Sequence, residues 1–152
     1  MLTVDLDKAI ELIDMAIAER GEDYVYPKKN ACTNVRYERH YDYETHGYVY
    51  TMKEADCGVG LGLALGGIDL DLLLAKNESS ATETAVYLFE KGVATFTAEA
   101  VDFLAYFQLN QDKQRPWGEA KEKALKGLVY HGLSRGYASY GDRPSEHEDA
   151  FN

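Results

Sequence analysis

The sequence predicts an α+β fold: a mainly helical single domain of about five helices that carries an antiparallel, tyrosine-rich β-hairpin. Three observations lead there. Apolar residues recur at three- and four-residue spacing in the first twenty residues and again in the second half of the chain. Between those regions, residues 35–44 alternate with period two. The 152 residues, 45% hydrophobic and 28% charged, suit one globular domain whose core is large enough to need no metal or disulfide. That domain is assigned to residues 1–136, and the aperiodic, acidic segment 137–152 is read as a mobile tail.

The first helix is expected over residues 5–20. Leu6, Ala9, Ile10, Ile13, Ala16 and Ile17 form its inward stripe, Thr3 or Asp5 caps the start, and Gly21 ends it. Tyr24-Val25-Tyr26 reads as a short strand stopped by Pro27. In the alternating run Val35, Tyr37, Tyr41 and Tyr43 point one way, and Arg36, Glu38, His40, Asp42 and Glu44 the other. The chain turns near His46-Gly47 and returns through Tyr48 to Met52.

After Asp56-Cys57 the sequence GVGLGLALGG predicts a short buried helix over 57–65, ended by Gly66-Gly67, with a glycine-rich loop as the competing reading. On the helical reading Gly58 and Gly62 share a face and admit a second backbone. A further short helix is capped by Asp69. Ser79 or Ser80 caps a helix over 81–91 with Ala85, Leu88 and Phe89 inward, and Val93 to Phe96 is an extended link. Thr97 then caps a helix over 98–112 lined by Ala100, Phe103, Leu104 and Phe107. Pro116 opens the last helix, with Trp117, Ala120, Ala124 and Leu128 inward.

Charge narrows the function classes. Sixteen Lys and Arg against 26 Asp and Glu leave −10, which opposes binding to phosphate backbones or anionic membranes. No apolar run approaches ~20 residues, and the acidic N-terminal segment is unlike a signal peptide, so a cytoplasmic protein is expected. The two cysteines, Cys32 and Cys57, are accordingly expected as free thiols. The stretch from Tyr24 through Lys53 runs against the overall sign, with five Lys or Arg and three acids.

Several constellations could carry chemistry. Cys57 at a helix start is a candidate nucleophile with His131 as base, although Asp56 beside it raises the thiol pKa. Cys32, His40, His46 and Cys57 are the right atom types for tetrahedral zinc but lack the close cysteine pair of a zinc knuckle. Gly58, Gly60 and Gly62 miss the spacing of the dinucleotide fingerprint, and Ile68 stands where a phosphate loop needs lysine. The helices at 81–91 and 98–112 could pair as a helix-turn-helix, yet Glu99 and Asp102 occupy the turns that would read DNA.

The compositional oddity is tyrosine. Seven of twelve (Tyr24, Tyr26, Tyr37, Tyr41, Tyr43, Tyr48 and Tyr50) crowd into one stretch, more rings than a small interior accommodates. Tyrosine offers large contact area at low entropic cost, so an exposed recognition or self-association surface follows. Tyr41, Tyr43, Tyr48 and Tyr50 are assigned as its anchors, with Arg36 and Arg39 steering.

A resemblance adds context. Cys57-Gly58-Val59-Gly60 leads into Leu63-Ala64-Leu65 and a Gly-Ile-Asp-Leu-Asp cap. Gly92-Val93, Phe96-Thr97-Ala98-Glu99-Ala100 with Phe103-Leu104, and Gln111-Asp112 before Trp117-Gly118-Glu119-Ala120 follow. With the aromatic segment from Tyr24 to Cys32 upstream, these pieces resemble a recurring pattern in small accessory proteins of actinobacterial bacteriophages. The resemblance implies a phage source and life-style rather than an activity; small phage accessory proteins commonly act by binding a host component. The expectation is therefore a non-enzymatic binder without cofactor, docking a host protein or itself through the hairpin. Its acidic remainder favours a basic partner, such as a nucleic-acid-binding protein. A thiol enzyme or zinc protein is the alternative.

Overall fold

The computed structural model describes residues 1–27 and 32–135, with side chains through Val129. Strand β1 (Leu2–Val4) enters helix α1 (Leu6–Arg20), whose start is capped by the Asp5 carboxylate accepting from Lys8 N at 2.8 Å. A long hairpin follows, β2 (Val35–Asp42) and β3 (Gly47–Ala55). Helices α2 (Gly58–Leu65), α3 (Leu70–Leu74) and α4 (Ala81–Glu90) come next, then β4 (Ala94–Phe96), α5 (Ala98–Asp112) and α6 (Trp117–Arg135). The α+β architecture is as the sequence predicts.

The caps fall where the chain supplies side-chain acceptors. Ser80 and Glu83 form a reciprocal capping box on α4, Thr97 accepts from Ala100 N, and Asp69 accepts from Asp71 N. The run GVGLGLAL is a buried helix rather than a loop, because its glycines let the chain approach closely. A Cβ on Gly60 would lie 2.5 Å from the Asn34 carbonyl oxygen, and one on Gly62 would lie 3.0 Å from that of Leu12. Gly58 instead meets the Phe107 ring, so the backbone approaches are made at Gly60 and Gly62.

The core is the space between α1, α2, α5 and α6, filled by Leu12, Ile13, Leu63, Phe103, Phe107, Trp117 and Leu128. All four residues predicted to line α6 are buried. On α1 the stripe includes Leu12 as well, while Leu6 and Ile10 are only half-buried. Phe89 does not turn inward: it is 62% exposed beside Val86, because α4 presents Ala81, Thr84, Ala85 and Leu88 to its neighbours.

Two further expectations are corrected. Val93 to Phe96 is more than a link, since β4 pairs in parallel with β1. That pairing joins the N-terminus to residue 94 through hydrogen bonds a short sequence window cannot reveal. Tyr24-Val25-Tyr26 is not a strand but a single bridge, Val25 to Pro116, and its role is to sink the Tyr26 ring into the interior. The tail assigned to 137–152 lies outside the described residues, as do Lys28 and Lys29.

Candidate functional site

The site begins at the foot of the hairpin. Val35 pairs with Ala55, and beyond that pair Asp56 N donates to Asn34 O and Cys57 N to Thr33 O, both at 2.9 Å. Continuing the ladder inward sets Thr33 opposite Cys57 and leaves Cys32 one step further along, beside that pair. Cys32 and Cys57 accordingly form a disulfide with Cα atoms 5.7 Å apart, which overturns the expectation of free thiols. Twenty-five residues of separation hide the pairing in the sequence; the hairpin register creates it.

The disulfide also bears on the thiol and zinc alternatives. Cys57 is fully buried and bonded, so it offers no thiolate nucleophile, and the side chain of His131 lies outside the described residues. His40 pairs with Val49 and His46 sits in the distal turn, about 25 Å or more of chain away from the cysteines. The four zinc candidates are not brought together, and no cluster of three metal-ligating residues occurs among the described residues.

A polar clamp surrounds the foot. Arg20 at the end of α1 donates to the carbonyls of Asp56 and Ala55, the latter at 2.8 Å, and its guanidinium stacks over the rings of Tyr24 and Trp117. The buried Tyr26 hydroxyl donates to Asp56 Oδ2 at 3.0 Å and accepts from Thr33 N at 3.3 Å. Burial, with the Asp56 charge beside it, pushes the Tyr26 phenol well above its ordinary value. Asn77 exchanges two hydrogen bonds with the Val35 backbone, at 2.9 and 2.8 Å, taking the place of a third strand there. Asn34 donates to the carbonyls of Leu73 and Lys76 and thereby closes the end of α3. Lys53 pairs with Asp71.

Beyond this foot the hairpin leaves the body. Val35 is buried, yet every residue from Arg36 to Tyr41 is exposed. The loop Tyr43-Glu44-Thr45-His46 closes the far end, and His46 has φ 55°. Asp42 accepts from Glu44 N at 2.9 Å and from the Thr45 hydroxyl at 3.0 Å, and these donors hold its carboxyl below the usual carboxylate range.

The register determines what the ribbon displays. Near the foot Arg36 faces Glu54, but further out Glu38 faces Thr51, Arg39 faces Tyr50 and Tyr41 faces Tyr48. Tyr37 therefore lies across from both Met52 and Lys53: β3 carries one extra residue, a β-bulge, with Met52 at φ 52°. Were the Arg36–Glu54 register to run unbroken, Tyr48 and Tyr50 would face Asp42 and His40. The bulge moves them to the other side, because a one-residue slip exchanges the faces of a strand.

All five outer tyrosines consequently share one face. Tyr37 meets Tyr50 with ring centroids 5.1 Å apart, Tyr41 meets Tyr48 at 5.6 Å and Tyr43 at 4.8 Å, each pair edge to face. The Arg39 guanidinium lies 4.5 Å over the Tyr48 ring. Exposure runs from 38% at Tyr37 to 81% at Tyr43. Of the predicted anchors, Tyr41, Tyr43, Tyr48, Tyr50 and Arg39 are brought together. Arg36 is on the opposite face, 2.6 Å from Glu54, and is not part of the cluster. Tyr37 belongs to it and was left off the anchor set, although its place in the alternating run already aligned it with Tyr41.

The chain matches no protein-family model, no curated protein and no solved structure. Its chemistry is therefore argued from the ribbon alone. No helix among the described residues is long and apolar enough to cross a membrane. A second, mainly apolar surface, lined by Val86, Phe89, Glu90, Phe96 and Val101, lies beside α4.

Proposed function

We propose that the protein is a non-enzymatic binding protein that docks another protein on the tyrosine face of its β-ribbon. The observation that carries this reading is the concentration of five exposed phenol rings and one guanidinium on one side of a projecting ribbon. Burying such rings gains apolar contact area while each hydroxyl keeps a partner available, the combination that dominates recognition hot spots. The foot serves as a mount: disulfide, Arg20 clamp and Asn77 bonds hold the ribbon at a fixed place on the body, so little ordering cost remains at binding.

The resemblance to phage accessory proteins supports a bacterial host protein as the partner and the host cytoplasm as the place of action. The Cys32–Cys57 disulfide weighs against that compartment, where thiols are normally kept reduced, although both residues are buried. The test is affinity capture from a bacterial lysate with the wild-type chain, Tyr48→Ser/Tyr50→Ser, and Phe89→Ser on α4 as a surface control. Capture is expected to be lost in the ribbon variant and kept in the control, with unchanged far-ultraviolet circular dichroism. Equal capture by all three would remove the ribbon from the function.

A further inference from the structure

Resting on that reading, we infer that the tyrosine face takes an extended, proline-rich peptide segment bearing one carboxylate opposite Arg39. Area argues against a second copy of the chain as the occupant. The face runs from Tyr37 to Tyr43, six residue steps or about 20 Å, and is two strands wide. Its five rings, 38–81% exposed, offer on the order of 400–600 Å² of accessible surface, against about 800 Å² per partner in a stable protein–protein interface. A surface this narrow fits a single strand of ligand. At about 3.1 Å per residue, about six or seven residues of polyproline helix cover it.

The rings select that conformation. Edge-to-face packing of Tyr37 with Tyr50, and of Tyr41 with Tyr48 and Tyr43, sets neighbouring rings at 73–84° to one another, so the face is ridged rather than flat. Proline rings seat between such ridges, and polyproline helices keep their carbonyls unpaired and available. Among the described residues none of the five hydroxyls is hydrogen-bonded within the chain, so each is ready to donate to a ligand carbonyl.

Charge supplies the remaining discrimination. Arg39 is the cation seated among these rings and has no carboxylate partner among the described residues. Its guanidinium carbon lies 4.5 Å over the Tyr48 ring, and its five N–H donors form the fork that grips a carboxylate. Glu38, Asp42 and Glu44 line the back and tip of the same ribbon, so further acids in the ligand are repelled.

The experiment titrates the full chain, followed by amide and tyrosine ring NMR signals. Its probes are a blocked oligoproline of about nine residues with a central glutamate, the same peptide with a central lysine, and a short oligothymidylate. Shifts confined to residues 37–50 are expected, with the glutamate peptide about tenfold tighter than the lysine peptide, the scale of one charge-assisted hydrogen bond. Arg39→Glu should reverse that order, and Tyr48→Phe should keep binding but weaken it, whereas His40→Ala on the opposite face should change nothing. Equal affinity for the two peptides, no binding of either, tighter binding of the oligothymidylate, or a dimer through this face would each overturn the inference. If the peptides fail while lysate capture still depends on Tyr48 and Tyr50, the peptide class is wrong and the docking reading stands. Loss of both removes the site altogether.

Discussion

Tyr26 and Tyr43 are seventeen positions apart, and they live in opposite regimes. In the helical body Tyr26 is fully buried, its hydroxyl satisfied by Asp56 and Thr33; on the ribbon Tyr43 is 81% exposed with only Tyr41 for company. The body is held by packing that excludes water from nearly every large side chain. The ribbon is held by cross-strand pairs and by its attachment, since an isolated two-stranded hairpin is marginal in water. One residue type thus serves as a buried polar strut in the first region and as displayed contact area in the second. What decides is the partner available to the hydroxyl.

The largest effect should come from forcing the two regions apart. Gly60→Ala drives a Cβ into the Asn34 backbone, where no flexible side chain can yield. A loss of about 3 kcal/mol or more in chemical denaturation is expected, with both the α2 and ribbon signals affected. Removing the disulfide with Cys32→Ala/Cys57→Ala should cost up to about 3.5 kcal/mol by the loop-closure argument for 25 residues. Hydrogen exchange should then accelerate at the foot of the ribbon more than in α5; uniform acceleration would mean that the ribbon and the body open as one unit.

Tyr26→Phe, smaller again, leaves Asp56 and Thr33 N without the hydroxyl and should cost about 1–2 kcal/mol. It also has a pH signature. The folded-state pKa of Tyr26 is raised above its ordinary 10.0, so the neutral phenol is favoured by folding. Its contribution is present in full below pH 10 and falls away as pH rises beyond it. Alkaline destabilisation above pH 10 should therefore be shallower in the phenylalanine variant. The smallest effect has the opposite sign: Met52→Gly relieves the positive φ of the bulge and should stabilise by up to about 1 kcal/mol. If Met52→Gly destabilises instead, the side chain matters more than the backbone at that position.

Much of the body was legible in the sequence. Thr97 caps α5 and Trp117, Ala120, Ala124 and Leu128 line α6, because helical periodicity and capping are local. The β1–β4 pair was not, since three-residue strands about 90 positions apart in sequence leave no local pattern. Phe89 was misplaced for a related reason: the stripe on α4 contains both an inner and an outer apolar row. On the ribbon, alternation in β2 read correctly by itself. The side on which Tyr48 and Tyr50 emerge depends on a bulge at a methionine, and nothing in the residue types announces it. The disulfide was invisible for the same reason, being a consequence of register rather than of spacing.

The separation of the two tyrosine regimes can be measured residue by residue. Nitrating the native protein with tetranitromethane and mapping the products by mass spectrometry should show rapid modification of Tyr37, Tyr41, Tyr43, Tyr48 and Tyr50, and protection of Tyr26 until the chain unfolds. Ribbon tyrosines that react as slowly as Tyr26 would contradict the account, because the face argued to receive a partner would then already be covered by the protein itself.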